Sequence, residues 1–188
     1  MDLSFLSTIP NMVVMSPKNS LELKDMVHFA AEYKDGPIAI RYPRGSATTI
    51  HEEFEAPIVC GKSEMICEEK DIVILVVGHM YETAVQVREI LKEKGYSCSL
   101  VNVRFVKPLD TEMLDHLTEQ HKLTVTIEEN VRSGGFGAHV TESLMRTGSD
   151  VRVQILALTD EYIEHGNVEV LRKETGLDVA TTTAKTRK

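Results

Sequence analysis

The feature that most constrains the fold is an uninterrupted run of six apolar residues, Ile72–Val77. Such a run predicts a strand that is covered on both faces, as the strands of parallel sheets are. Gly78 follows the run, and residues at helical spacing then form an apolar face from about Glu82 to Gly95. A strand that leads into a helix in this way is the repeating unit of a parallel α/β sheet.

The same order of strand and helix continues toward the C-terminus. Apolar segments predict further strands over 98–103, 123–127 and 151–156, and Glu128–Asn130 is placed just past the second of these. Helices are predicted from about Pro108, after the glycines at 134–137, and near 168–174 and 180–185. We therefore predict an α/β fold with three αβα layers and a mostly parallel sheet.

The first 47 residues contain too little structure for a domain of their own. They hold two predicted strands, Asn11–Met15 and Pro37–Ile40, and between these a helix for which Asn19 is the predicted N-cap. Two strands do not form a stable sheet. We therefore interpret residues 1–47 as a fragment of a second α/β domain, whose beginning is absent or lies on another chain.

Residues 48–56 are predicted to be a linker, and residues 57–188 a complete α/β domain. The linker is rich in acidic residues, which more often mark a solvated surface than a site. An edge hairpin is predicted around Ile58–Ile66. The domain is long enough to bury a core of its own, so we expect it to fold independently.

The composition excludes several classes of function. The net charge of −8 argues against a general binder of nucleic acids or anionic membranes. The three cysteines form neither a zinc pattern nor a disulfide framework, so we predict a reducing, cytoplasmic location. No apolar run is long enough for a membrane span, and Met1-Asp2-Leu3 does not resemble the charged start of a signal peptide.

Two arginines, Arg41 and Arg44, follow the strand Pro37–Ile40 in the sequence RYPRG. Ligands of parallel α/β sheets bind beyond the carboxyl ends of strands, and guanidinium groups suit phosphate because they donate paired, charge-assisted hydrogen bonds. One interpretation is therefore a phosphate pocket. The other is an ion pair with some of the 29 acidic residues, and residue types alone favour this second interpretation.

A second candidate is the segment EENVRSGGFG, Glu128–Gly137. Glycines before a helix can expose amides to an anion, but the spacing is not that of the dinucleotide motif and two glutamates would repel phosphate. Close packing at a sheet crossing or subunit contact is the favoured interpretation.

His79 follows a strand end, so it either faces a cleft or, as residue type favours, lies on the surface or caps a helix. His165 is interpreted as a turn residue.

Several segments, taken in order, resemble one family. They are DLSFLSTIPNMVVMSPK, GPIAIRYPRG, NVRFVKPLD, TIEENVRSGGFG and IEHG. Together they resemble the C-terminal part of the 1-deoxy-D-xylulose-5-phosphate synthases, which are transketolase-like enzymes dependent on thiamine diphosphate. The resemblance extends from Asp2 to about Asp178.

The resemblance implies that residues 1–47 are the end of a pyrimidine-binding domain and residues 57–188 a transketolase C-terminal domain. The family's Gly-Asp-Gly motif, which binds the cofactor diphosphate with Mg²⁺, and its activating glutamate have no counterpart in this sequence. Thiamine diphosphate and Mg²⁺ are therefore expected in the complete enzyme. For this chain alone we expect no catalytic, cofactor-binding or metal-binding residue, and no activity.

By its position in RYPRG, Arg44 matches the family arginine that binds the phosphate of glyceraldehyde 3-phosphate, and Arg41 is a weaker candidate. The complete enzyme condenses that aldehyde with pyruvate. A structural role in packing the dimer is implied for Glu128, Glu129, Gly134, Gly135 and Gly137. The expected partners are a second copy, the N-terminal part of the enzyme and a small-molecule phosphate, and neither nucleic acid nor a membrane.

Two other functions are also compatible with the sequence. The first is the tail of a 2-oxo-acid dehydrogenase E1 β subunit, which shares the architecture, although RYPRG and RFVKPLD favour the synthase. The second is a non-catalytic module that retains only the dimerising domain.

Overall fold

The computed structural model describes residues 2–45 and 48–187. Residues 1, 47 and 188, which bound the predicted segments, lie outside this part. The helices are α1 (Asp2–Ser7), α2 (Ser20–Glu32), α3 (Tyr81–Glu93), α4 (Thr111–Gln120), α5 (Phe136–Thr147), α6 (Val168–Thr175) and α7 (Val179–Thr186). The strands are β1 (Val13–Met15), β2 (Ile38–Ile40), β3 (Glu64–Cys67), β4 (Asp71–Val76), β5 (Cys98–Asn102), β6 (Phe105–Lys107), β7 (His121–Val131) and β8 (Arg152–Leu158).

The larger sheet has the strand order β3-β5-β4-β7-β8. Strands β5, β4, β7 and β8 are parallel to one another, whereas β3 is antiparallel to β5 at one edge. The mostly parallel sheet predicted from the sequence is therefore confirmed.

The central strand β4 is covered on both faces, as its continuous apolar sequence predicts. Ile74 and Val76 pack in the same cluster as Ala84 and Leu91 of α3. Val73 and Leu75 belong to a second cluster, formed with the apolar faces of α4 and α5. Because side chains alternate across a strand, a six-residue apolar run supplies both layers of helices with partners, and the three-layer αβα prediction is confirmed.

The smaller sheet joins the two parts of the chain. β1 is parallel to β2 and antiparallel to β6, which comes from the RFVKPLD segment. The two strands and the helix predicted for the first part are present, and the Asn19 side chain accepts a hydrogen bond from the Glu22 amide, as predicted for an N-cap. The third strand was not predicted, and it supplies the pairing that two strands alone lack.

Two predictions of local structure are wrong. The region around Ile58–Ile66 forms no hairpin in the described residues; instead, β3 pairs as an edge strand with β5. The residues Glu128–Asn130 lie within β7 and not past its end, because β7 passes an irregularity and pairs again with β8 through Val131 and Leu158.

A group of charged and polar side chains, which we call the buried cluster, connects the first part of the chain to the second. It consists of Lys18, Glu22, Glu64, Asn102 and Arg104, all less than a tenth exposed. Lys18 Nζ donates to Glu64 Oε2 over 2.7 Å, and Arg104 Nε donates to Glu22 Oε1 over 2.7 Å. The two positive and two negative charges neutralise each other, as buried charges must.

No helix among residues 2–45 and 48–187 is both long and apolar enough to cross a bilayer.

Candidate anion site

A pocket of about 830 Å³ opens where strands of the two sheets end. It is lined by Arg41 and Arg44, which follow β2, by His79, which follows β4, by Glu129 near the end of β7, and by Arg172 of α6. This is the location at which parallel α/β sheets bind ligands. Both arginines of RYPRG therefore reach one pocket, together with residues far apart in the sequence.

Arg41 is held by the protein's own acceptors. Its Nε donates to Asp2 Oδ2 over 3.2 Å, and its NH2 donates to the backbone oxygen of Glu129 over 3.2 Å and contacts the Glu129 carboxylate at 3.5 Å. Its NH1 lies 3.1 Å from His79 Nδ1. These are the contacts of an internal ion pair, the interpretation that the residue types favoured.

Arg44 has a different environment. Its side chain is exposed at the pocket, and it has no hydrogen bond or ion pair with any residue that the structure describes. Gly45, which follows it, has a φ of 127°, a backbone conformation that favours glycine. No described residue therefore occupies the donors of this guanidinium, and its role as a phosphate ligand stays a prediction.

His79 links Arg41 to Glu129. Because a guanidinium can only donate, Nδ1 of His79 accepts from Arg41, and Nε2 donates to Glu129 Oε2 over 2.6 Å. Burial by itself would raise the pKa of Glu129, but the hydrogen bond from His79 and the charges of Arg41 and Arg172 hold it below its usual value. His79 therefore faces the cleft, the alternative that its residue type did not favour. We call Arg41, His79, Glu129 and Arg172 the pocket cluster.

Arg172 is a pocket residue that the sequence did not indicate. It lies in the last turn of α6, and its Nε is 3.6 Å from Glu129 Oε1. Its position in the pocket depends on the packing of a helix more than 100 residues from RYPRG, which no local pattern encodes.

Glu128, next to Glu129, points into the protein, where its carboxylate is hydrogen-bonded to the start of α5. It is fully buried, and its two carboxylate oxygens accept from the amides of Phe136 and Gly137 at the start of α5, over 2.9 and 2.8 Å. Burial raises the pKa of Glu128 to about 7, against the lowering effect of these two amides.

The glycines after β7 permit this close approach. A Cβ on Gly135 would lie 2.6 Å from the Val131 carbonyl oxygen, and a Cβ on Gly137 would lie 2.8 Å from Ile155. Gly134 has a φ of 64°, in the left-handed region. These contacts are packing within one chain, and the predicted role of the segment in a dimer stays a prediction.

The described residues do not fit a Mg²⁺ site. Across residues 2–45 and 48–187, no three His, Cys, Asp or Glu side chains are grouped so that they could hold a metal ion. In the pocket, the carboxylates of Asp2 and Glu129 are already occupied by Arg41. The pocket favours an anion over a cation, because Arg44 and Arg172 line it and form no hydrogen bond with the described residues.

Each of the two parts of the chain matches the model of a known protein family. Residues 61–181 match the family model "Transketolase, C-terminal domain", and residues 1–49 match "Transketolase, pyrimidine binding domain". The chain therefore belongs to the transketolase C-terminal domain family.

Individual proteins that are similar to this chain indicate which members of the family it resembles. The chain is 44% identical over 181 residues to the 1-deoxy-D-xylulose-5-phosphate synthase of Desulforudis audaxviator (strain MP104C), covering 95% of this chain and 28% of that protein. It is 43% identical over 178 residues to the enzyme of the same name from Lachnoclostridium phytofermentans (strain ATCC 700394 / DSM 18823 / ISDg), with 94% and 28% covered. The predicted resemblance to the C-terminal part of these synthases is confirmed, and the chain spans about 28% of their length.

A similar solved structure confirms the fold. It is described as "Split gene transketolase, inactive beta4 tetramer", and it matches with a TM-score of 0.90 at 26% identity. The match covers 99% of this chain and 59% of that one.

Proposed function

We propose that this chain is the C-terminal segment of a 1-deoxy-D-xylulose-5-phosphate synthase, and that its Arg44 binds the phosphate of glyceraldehyde 3-phosphate. The complete enzyme would condense this aldehyde with pyruvate and release CO2, as a step toward isoprenoid precursors, thiamine and pyridoxal. Similarity to the synthases over 95% of the chain supports the assignment.

One observation carries the role of Arg44. Arg41 and Arg44 share a motif and a pocket, but Asp2, His79 and Glu129 satisfy Arg41, whereas Arg44 has no partner in residues 2–45 and 48–187. An unpaired guanidinium that faces a pocket can give its hydrogen bonds to a phosphate without first breaking others.

The contribution of this chain is to bind and orient the acceptor. Thiamine diphosphate, when bound to the complete enzyme, supplies the carbanion chemistry. A phosphate held by Arg44 fixes the far end of the aldehyde, and this remote binding energy orients the carbonyl for attack.

The partners that we propose are the remaining part of the enzyme and a second copy of this chain. Two apolar side chains that line the pocket are exposed in this chain: Tyr42 is 59% exposed and Val168 is 55% exposed. Exposed apolar side chains of this kind support the proposal that a partner covers this surface. All three cysteines are free thiols, which fits the reducing cytoplasm as the proposed location.

The description of the similar structure favours one further proposal. That protein is called an inactive tetramer of a split-gene transketolase. By analogy, we propose that this chain alone self-associates, binds no thiamine diphosphate and has no synthase activity, so that activity requires the remaining part of the enzyme.

The test is Arg44→Ala in the complete enzyme, assembled from this chain and its N-terminal part. The Michaelis constant for glyceraldehyde 3-phosphate should rise about tenfold or more, which corresponds to about 1.4 kcal/mol. Pyruvate decarboxylation without acceptor should change little. Arg146→Ala is the matched control, because Arg146 is an exposed arginine outside the pocket. Equal damage to both half-reactions would show that Arg44 maintains structure and does not bind the acceptor.

A further inference from the structure

The Arg172 side chain forms no hydrogen bond with the residues that the structure describes. Its Nε is buried and has no hydrogen-bond partner among the described residues. The nearest carboxylate oxygen, Glu129 Oε1, is 3.6 Å away, which is too long for a hydrogen bond. Buried donors are normally paired, since an unpaired one costs about 1–3 kcal/mol. The state of Arg172 therefore requires an explanation.

The neighbouring arginine of the pocket cluster shows that the protein can supply acceptors here. Each of the three guanidinium nitrogens of Arg41 has an acceptor, from Asp2, His79 or Glu129. His79 and Arg41 both contact Oε2 of Glu129, at 2.6 and 3.5 Å, whereas Arg172 approaches the other oxygen, Oε1, at 3.6 Å. The arrangement satisfies Arg41 and leaves Arg172 with donors to spare.

We infer that Arg172 is a second ligand of the anion that Arg44 binds, an inference that rests on the proposed function. The two arginines reach the pocket from separate elements, Arg44 from the loop after β2 and Arg172 from α6. A phosphate dianion carries two negative charges and several acceptor oxygens, so two guanidinium groups match it in charge and in donors. Helix α6 would thereby give the C-terminal domain a direct part in binding the acceptor.

A purely structural role for Arg172 is the competing explanation. Cations in the last turn of a helix are stabilised by the helix dipole, and Lys173 occupies that same turn. Lys173 is exposed and does not line the pocket. Lys173→Gln therefore removes one charge from the same helix end and is the matched control for Arg172→Gln.

The experiment titrates the full ¹⁵N-labelled chain with sulfate at constant ionic strength and follows the arginine Nε–H resonances. Sulfate replaces phosphate because its charge does not change near neutral pH. The Nε–H signals of Arg44 and Arg172 should shift together and saturate. Arg44→Gln and Arg172→Gln should each raise the dissociation constant about tenfold, and Lys173→Gln less than about twofold.

The outcomes separate the two proposals. If the Arg172 signal stays unmoved while Arg44→Gln weakens binding, the inference is wrong and the proposed role of Arg44 stands. The inference also fails if Arg172→Gln and Lys173→Gln weaken binding equally. Sulfate binding that does not depend on Arg44, or that does not saturate, overturns the role of Arg44 and this inference with it. If a variant fails to fold, the Arg172 Nε–H signal of the unmodified chain still tests whether Arg172 responds to sulfate.

Discussion

The buried cluster and the pocket cluster both combine arginine with glutamate, but the pocket cluster contains an arginine, Arg172, whose side chain is not hydrogen-bonded by the described residues. In the buried cluster, Arg104 donates from all three nitrogens, to Glu22 and to the backbone oxygens of Pro57 and Ala56. In the pocket cluster, the side chain of Arg172 donates no hydrogen bond to any residue that the structure describes. The difference teaches that the role of an arginine follows from how many of its N–H donors the protein leaves without an acceptor. The number of charges around the arginine does not decide between structure and ligand binding.

The largest expected effect comes from breaking the buried cluster. Arg104→Met leaves the carboxylates of Glu22 and Glu64 buried with only Lys18 as a positive partner. We expect a loss of about 3–5 kcal/mol in the free energy of unfolding, measured by urea denaturation at pH 7.

Arg41→Met is the matched comparison in the pocket cluster. Its carboxylate partners Asp2 and Glu129 are 50% and 25% exposed, so water can replace the lost ion pairs, and we expect a loss of about 1 kcal/mol. Similar losses for the two variants would contradict the distinction between the clusters.

A pH titration tests the buried carboxylate of Glu128, which accepts hydrogen bonds from two backbone amides. Burial raises the pKa of Glu128 to about 7 from a usual 4.5, so the folded state holds this proton more tightly than the unfolded state does. The stabilisation is full below about pH 4.5 and is lost as the pH rises through 7. A change of this size corresponds to about 3 kcal/mol.

The measurement is the free energy of unfolding between pH 4.5 and 8, for the natural chain and for Glu128→Gln. The free energy of unfolding of the natural chain should fall relative to that of the variant as the pH rises, because the variant has no proton to lose. Two parallel curves would mean that Glu128 does not titrate in this range.

The sequence predicts those parts of the fold whose signals are local. The apolar run Ile72–Val77 predicted a strand covered on both faces, and Asn19 predicted a helix start; both are confirmed. The strand β6 was missed because its partner β1 lies about 90 residues away and because Pro108 follows it directly. The charges of Glu128 and Glu129 resembled the end of a strand, although β7 continues through them.

The site was predictable only in part, because some of its contacts join segments that are distant in the sequence. RYPRG indicated two guanidinium groups beyond a strand end, and both line the pocket. The pairing of Arg41 with Asp2 and Glu129, and the arrival of Arg172 from α6, depend on contacts between distant segments. Residue types cannot show which of several arginines keeps its donors available.

The smallest expected effect concerns the linker between the two predicted segments. Limited proteolysis should cut first between Gly45 and Pro57 and leave residues from about 57 onward as a resistant core, as expected if that part folds alone. Arg104→Met should be cut faster there, since Ala56 and Pro57 lose the hydrogen bonds that hold the end of the linker. First cleavage inside Ile72–Val77 would contradict the proposed boundary.

The most direct test of the central claim is a crystal structure of the full chain with selenate, whose anomalous scattering locates the anion. We predict one selenate with oxygens about 2.7–3.2 Å from the guanidinium nitrogens of Arg44 and Arg172, while Arg41 keeps its bonds to Asp2 and Glu129. A selenate bound to Arg41, with those carboxylates displaced and Arg44 left without a ligand, would contradict the account.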